Sequence, residues 1–227
     1  MIKKNVAIIQ ARIGSSRLKN KMFCRLHGSP IIEWVLKRVK KASLIDQLIL
    51  AIPDTRENDI LDAYAKQGHV TVFRGDEKNV LDRVYHAAIR HKATQVIRIC
   101  ADNPLICPEL IDELILFYED KQPCDYAYNH RPINNLFPDG LGAEIISIEA
   151  LTTIKQKAKE PLHVEHMFNY IWDHTSSFII KTYDPIQKER HYPHLKVDVD
   201  TQKDLDYLNK FKIDTIICAD KIIELMG

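Results

Sequence analysis

Short apolar runs alternate with stretches whose apolar residues recur at helical spacing through the first half of the chain. Residues 6–9, Val-Ala-Ile-Ile, read as a buried strand, and residues 31–39 as a helix with Ile32, Val35, Leu36 and Val39 on one face. The pattern then predicts a strand over 47–52 running into Pro53-Asp54, and a helix over 57–66 closed by Gly68. A third strand follows over 70–73, a helix over 79–91 with Val80, Val84, Ala87 and Ala88 on one face, and a fourth strand over 95–100. Pro108 opens a further helix at a favoured first-turn position. Repeated strand–helix alternation implies right-handed crossovers and a parallel sheet, an α/β fold.

The second half changes character. Residues 122–142 carry Pro123, Pro132, Pro138, Gly140, Gly142 and a pair of asparagines, a long irregular segment that is either a functional loop or a disordered insertion. Strand character returns over 143–148. Helices are expected over 148–158 and 163–173, strands over 178–183 and 194–199, and helices over 202–212 and 221–226. There is no internal repeat.

At 227 residues the chain fits one domain, with or without a small appendage. Its 45% hydrophobic and 28% charged residues are those of a soluble globular protein. A net charge of +1, from 32 basic and 31 acidic side chains, argues against broad nucleic-acid or membrane-surface binding, so any positive field must be local. No apolar run is long enough to span a bilayer, and the one near the N-terminus is too short for a signal peptide and is interrupted by Gln10 and Arg12. A cytoplasmic location is expected. Five cysteines without a Cys-x-x-Cys pair read as reduced thiols.

Local positive charge does occur after the first strand. Arg12, Arg17 and Lys21 surround the small-residue turn Gly14-Ser15-Ser16. Small residues let backbone amides approach an anion and the cations neutralise it, which suits a nucleotide triphosphate. The loop is neither a Walker motif nor a dinucleotide fingerprint, and on spacing alone a solvated basic loop is an equal reading. Asp102 follows the fourth strand, outside whose carboxyl end ligands of open α/β sheets bind; a turn aspartate bonding its own backbone is the alternative. In Asp198-Val199-Asp200, strand alternation places both carboxylates on one face, while Asp200 could instead cap the next helix. Carboxylates converging from separate strand ends suit magnesium. His163 and His166 lack the spacing of a zinc protease, and no Gly-x-Ser-x-Gly elbow occurs.

IIQARIGSSRLKNKMFCRLHGSPIIEWVLKRV resembles the N-terminal signature of the cytidylyltransferases that activate acidic sugars, such as CMP-Kdo synthetases and acylneuraminate cytidylyltransferases. The nearest resemblance is to SpsF-type spore-coat polysaccharide proteins, often labelled glycosyltransferase-like. FRGDEKNVLDRVYHAA, RICADNPLICPELID, PDGLGAEIISIEAL, EHMFNYIW and LKVDVDTQKDL continue the match in order over nearly the whole chain. Cys100-Ala101 and Gly142-Ala143 depart from the usual pattern.

The resemblance implies a three-layer α/β/α sandwich around a mostly parallel, Rossmann-like mixed sheet. It implies one nucleotidyltransferase domain over 1–227, with an acceptor-binding and dimerisation segment at about 122–175. It assigns Arg12, Arg17 and Lys21 to catalysis on the triphosphate, and the position of Lys21 just after the loop predicts an exposed side chain. Ala11, Gly14, Ser15, Ser16, Asp82, Arg83, Cys100 and Ala101 then bind the nucleotide, and Asp102 and Asp200 hold Mg²⁺. Acceptor contacts are expected from Tyr128, Asn129, Arg131, Glu144, Glu165 and His166, and homodimer contacts from 131–142 and the strand after it. The implied reaction is transfer of CMP from CTP to an acidic sugar or another phosphate- or carboxylate-bearing acceptor, in cell-surface polysaccharide biosynthesis. Two alternatives stay open: a metal-dependent glycosyltransferase using Asp198-Val199-Asp200, and a non-catalytic nucleotide-binding subunit.

Overall fold

The computed structural model describes residues 3–15, 17–130 and 135–227, so the roles expected of Ser16 and Arg131 lie outside the described residues. The chain runs β1 (Asn5–Gln10), the small hairpin β2 (Arg25–Leu26) and β3 (Ser29–Pro30), α1 (Ile31–Val39), β4 (Gln47–Pro53), α2 (Asp59–Gln67), β5 (Thr71–Gly75), α3 (Val80–Arg90) and β6 (Gln95–Cys100). It continues through α4 (Pro108–Asp120), β7 (Tyr126–Tyr128), β8 (Glu144–Ser147), α5 (Ile148–Lys157), α6 (Pro161–Glu165), α7 (Asn169–Asp173), β9 (Ile180–Thr182), α8 (Gln202–Leu208) and α9 (Ala219–Met226).

Seven strands form one sheet in the order β5-β4-β1-β6-β8-β7-β9. β5, β4, β1 and β6 are mutually parallel, and β8 is antiparallel to both its neighbours. Parallel strands covered on both faces need apolar residues at every position, which is why they read as continuous runs. In β1, Ala7 and Ile9 face the layer formed by α1, α2, α4, α8 and α9, while Val6 and Ile8 face α3, α5 and α7. This is the α/β/α sandwich expected. The chain leaves β1 toward β4 on one side and later returns to β6 on the other, so the carboxyl ends of β1 and β6 flank a topological switch point.

Four expectations are corrected. The supposed strand over 194–199 is extended, with Val197 and Val199 fully buried, but its bridge is to Asp139 and it joins no strand of the sheet. The irregular segment contains β7, which supplies a sheet position. Residues 163–173 form two short helices instead of one, because the chain turns over 166–168 to bury Met167 and Phe168 against the sheet. The strand after 131–142 cannot be a partner surface: β8 lies between β6 and β7, and Phe137 and Leu141 are in the core.

β8 also sets a tight constraint at its entry. A Cβ on Gly142 would lie 2.0 Å from the Asn129 carbonyl oxygen. Gly142→Ala should therefore lower stability by about 1–3 kcal/mol or more, read as a reduced urea midpoint. An unchanged midpoint would show that the β7–β8 junction yields easily.

Candidate active site

The switch point opens into a cleft of about 340 Å³ lined by the loop after β1, the start of α3, the end of β6 and the end of α6. Its wall includes Gln10, Ala11, Arg12, Gly14, Ser15, Arg17, Lys21, Met22, Val80, Arg83, Arg98, Cys100, Ala101, Asp102, Glu165 and His166. Buried Asn58 holds the loop by accepting the Ile13 N–H at 3.2 Å. On the other side, Arg38 is fully buried and donates to the carbonyls of Leu105 and Ile106, which fixes the turn carrying Asp102.

Lys21 stands at the centre. It opens a 3₁₀ turn, Lys21–Phe23, after Asn20 in the left-handed region, and its side chain is only 7% exposed. Its ammonium donates to Asp102 Oδ2 at 3.0 Å and to Asp200 Oδ1 at 2.9 Å. The expectation of an exposed loop-end lysine is thus overturned. Burial alone would depress this ammonium, but Asp102 and Asp200 outweigh it and hold it above the ordinary lysine value. A backbone bond from Val199 N–H to the Asp102 carbonyl, 2.8 Å, brings the two acidic segments together.

Asp200 is free of the capping role, because Thr201 caps α8 in a reciprocal box with Asp204. It receives two bonds from Arg17, at 2.9 and 2.8 Å, and Lys196 approaches at 3.3 Å. Burial would raise its carboxyl, yet Lys21, Lys196 and Arg17 hold it below the usual range. Lys196 also approaches Asp198 at 3.4 Å, so the two aspartates share a side. Asp198 stays off the cleft wall, and its buried Oδ1 has no hydrogen-bond partner among the described residues. Burial and neighbouring carboxylates lift Asp198 to about 7.

Several expected residues meet in the cleft: Ala11, Arg12, Gly14, Ser15, Arg17, Lys21, Arg83, Cys100, Ala101, Asp102, Glu165 and His166. Arg12 pairs with Glu165 at 3.0 Å. Arg83 is buried, and its Nε has no partner among the described residues; burial, with Arg12 nearby, lowers its guanidinium to about 10. Burial pushes the Cys100 thiol up to about 12, so it stays protonated. Asp82 lies outside the cleft and pairs with Lys155 at 2.6 Å. Asn129 is fully buried, with its amide donating to the Leu110 carbonyl and accepting the Ala143 N–H. Tyr128 and Glu144 are buried as well. These three residues build the wall behind the cleft instead of lining it.

Arg98 escaped the sequence reading. It projects from β6 into the cleft, donates from Nε to Gln10 Oε1 at 3.2 Å, pairs with Glu144 and lies 5.7 Å from the Phe168 ring centroid. An arginine inside the apolar run Val96-Ile97-Arg98-Ile99 was the available signal, since a charge in a buried strand needs a partner. Glu144 also accepts from the Tyr126 hydroxyl and faces His130 at 3.6 Å. Burial alone would raise Glu144, but Arg98 and His130 bring it down to about 2. Burial would depress the His130 imidazole, but Asp139 and Glu144 lift it to about 9.

This network carries a pH prediction. A histidine raised on folding stabilises fully below its unfolded value, near 6.5, and loses that stabilisation as pH rises through about 9. Between pH 6.5 and 9 the wild type should lose roughly 2–3 kcal/mol more than His130→Gln in urea unfolding. Parallel profiles would remove the charged imidazole from the account.

A cationic loop and paired carboxylates at the switch point of an α/β/α sandwich define a nucleotide-binding enzyme site. The profile of the cytidylyltransferase family matches residues 6–225, and the chain belongs to that family of nucleotidyltransferases. The chain is 32% identical over 204 residues to the spore coat polysaccharide biosynthesis protein SpsF of Bacillus subtilis, covering 88% of this chain and 82% of that one. It is 28% identical over 230 residues to 3-deoxy-manno-octulosonate cytidylyltransferase of Bartonella tribocorum, covering 97% and 84%. A cytidylyltransferase from Leptospira borgpetersenii shares the fold with a TM-score of 0.90 and 23% identity, covering 98% and 93%. The family sets aside the glycosyltransferase and non-catalytic alternatives. No described helix is long and apolar enough to cross a membrane.

Proposed function

We propose that the protein transfers CMP from CTP to an acidic, carboxylate- or phosphate-bearing sugar or sugar-like acceptor, with Mg²⁺, in the cytoplasm and in the service of cell-surface polysaccharide synthesis. The observation that carries this is the convergence of Asp102, Asp200 and Lys21 beside the Arg12–Arg17 loop. Two hard carboxylates are the donor set magnesium takes when phosphate oxygens and water complete its shell. Held there by Asp102 and Asp200, the ion would supply Lewis-acid charge to the phosphate.

The chain's own groups do the rest. Arg12, Arg17, Gly14 and Ser15 take the triphosphate, and Lys21 turns from the carboxylates to the phosphate. Gln10, Ala11, Val80 and Arg83 frame the nucleoside. The acceptor enters between Arg98 and the Glu165–His166 corner. An acceptor hydroxyl oxygen attacks the α-phosphorus, its proton passes to the Glu165–His166 corner, an O–P bond forms, and the bond to pyrophosphate breaks. Positive charge gathered around the departing pyrophosphate before the bond breaks lowers the barrier.

The test is pyrophosphate release with CTP, Mg²⁺ and a panel of acceptors headed by 3-deoxy-manno-octulosonate, the compound named for one relative. Turnover should be confined to CTP and to acidic acceptors. Equal turnover with UTP, or transfer from a nucleotide sugar, would refute the reading. A homodimer belongs to the same proposal through the family resemblance, and a monomeric mass by light scattering at micromolar concentration would refute that part.

A further inference from the structure

We infer that Lys21 is the counter-ion of the empty-handed enzyme: its ammonium holds the place between Asp102 and Asp200 that the metal takes, so metal binding waits for the nucleotide that draws Lys21 away. The inference rests on the metal reading proposed above.

Three observations support it. The ammonium sits 3.0 Å from Asp102 Oδ2 and 2.9 Å from Asp200 Oδ1, buried at the junction of the two acidic segments. Both oxygens of Asp200 are engaged, Oδ1 by Lys21 and Arg17 and Oδ2 by Arg17 and Lys196. Asp200 is not on the cleft wall, whereas Lys21 and Arg17, which cover it, are.

A divalent ion bonding these oxygens at ~2.1 Å would face a like charge lodged against the same two atoms. The ammonium must leave before the ion enters, and the apparent affinity falls by the fraction of time the site stands open. A triphosphate offers Lys21 and Arg17 alternative oxygens. Arg17, 65% exposed, turns first, and Lys21, which also lines the cleft, follows. The two cations thus couple nucleotide binding to metal binding, and linkage makes the coupling reciprocal. A consequence is that Asp102 and Asp200 are already paired when the nucleotide arrives.

Mn²⁺ binding by calorimetry, without nucleotide, tests this. Lys21→Met keeps the apolar stem and removes the charge. It should bind Mn²⁺ at least about tenfold more tightly than wild type, and Lys21→Gln should behave alike. Lys21→Arg, which keeps a cation, should stay near the wild-type value. Adding Asp102→Asn to Lys21→Met should abolish the gain. Thermal melts guard against misfolding: Mn²⁺ should raise the melting temperature of Lys21→Met more than that of wild type, since the unpaired carboxylates gain most from the ion. If folded Lys21→Met and Lys21→Gln bind Mn²⁺ no better than wild type, and Asp102→Asn weakens that binding, the place-holding role is overturned while the metal site stands. If Asp102→Asn and Asp200→Asn leave Mn²⁺ binding unchanged, the metal reading itself falls.

Discussion

Lys21→Ala should lower kcat for CMP transfer by roughly 10²–10³-fold, the scale of removing one group that stabilises developing negative charge. The KM for CTP should change far less, because an ammonium recruited from the carboxylates to the phosphate acts most strongly where charge builds up. The same substitution should reduce stability by about 1–3 kcal/mol, since it leaves Asp102 and Asp200 facing each other without the ammonium they share. The two effects have different salt responses. High salt should screen the facing carboxylates and recover part of the stability, but it should recover no kcat. Steady-state kinetics with CTP and the active acceptor, paired with urea unfolding, separate them. A variant with near-normal kcat would leave Lys21 as a structural counter-ion only.

Asp200→Asn should be comparably damaging by another route. The amide keeps the shape but loses the charge that faces Lys21, Arg17 and Lys196. kcat/KM should fall by about 10²–10³-fold, the several kcal/mol expected when a metal's charge no longer reaches a phosphoryl oxygen. The Mg²⁺ concentration for half-maximal rate should rise at least about tenfold, with Mn²⁺ recovering part of the activity. Lys21→Ala should show no such rise. If both variants keep the wild-type Mg²⁺ dependence, Asp200 serves only to anchor the cations, and the metal has to be sought elsewhere.

Much of this was legible along the chain. The runs at 6–9, 47–52 and 95–100 are continuous because parallel strands are buried on both faces, and they became β1, β4 and β6. Gly68 at the end of α2 and Pro108 at the start of α4 stand where their backbone preferences place them. The small-residue turn with its cations, and an aspartate just past β6, are local facts of sequence that the topology carried to one cleft. The elements depend on near neighbours only and could be read from one sequence; the roles of the loop and the aspartate came from the family resemblance.

What the sequence left undetermined involves contacts between distant segments. Residues 194–199 alternate like a strand and bury Val197 and Val199, but their partners are loop residues Asp139 and Asp102, so the segment runs beside the sheet without joining it. Asn129 and Glu144 sit in a segment rich in turn residues that resembled an acceptor loop; pairing of β7 and β8 inside the sheet buried them. Arg98 became a cleft residue only because β8 brought Glu144 alongside β6. Lys21 shows the division most clearly. Its charge and its place after the loop are written in the sequence. Its burial and its two carboxylate partners, 81 and 179 residues away, exist only once β6 and the segment before α8 meet. A lysine in solvent and a lysine clamped between aspartates have the same local sequence. The difference lies in long-range electrostatics and desolvation, which only the tertiary structure decides.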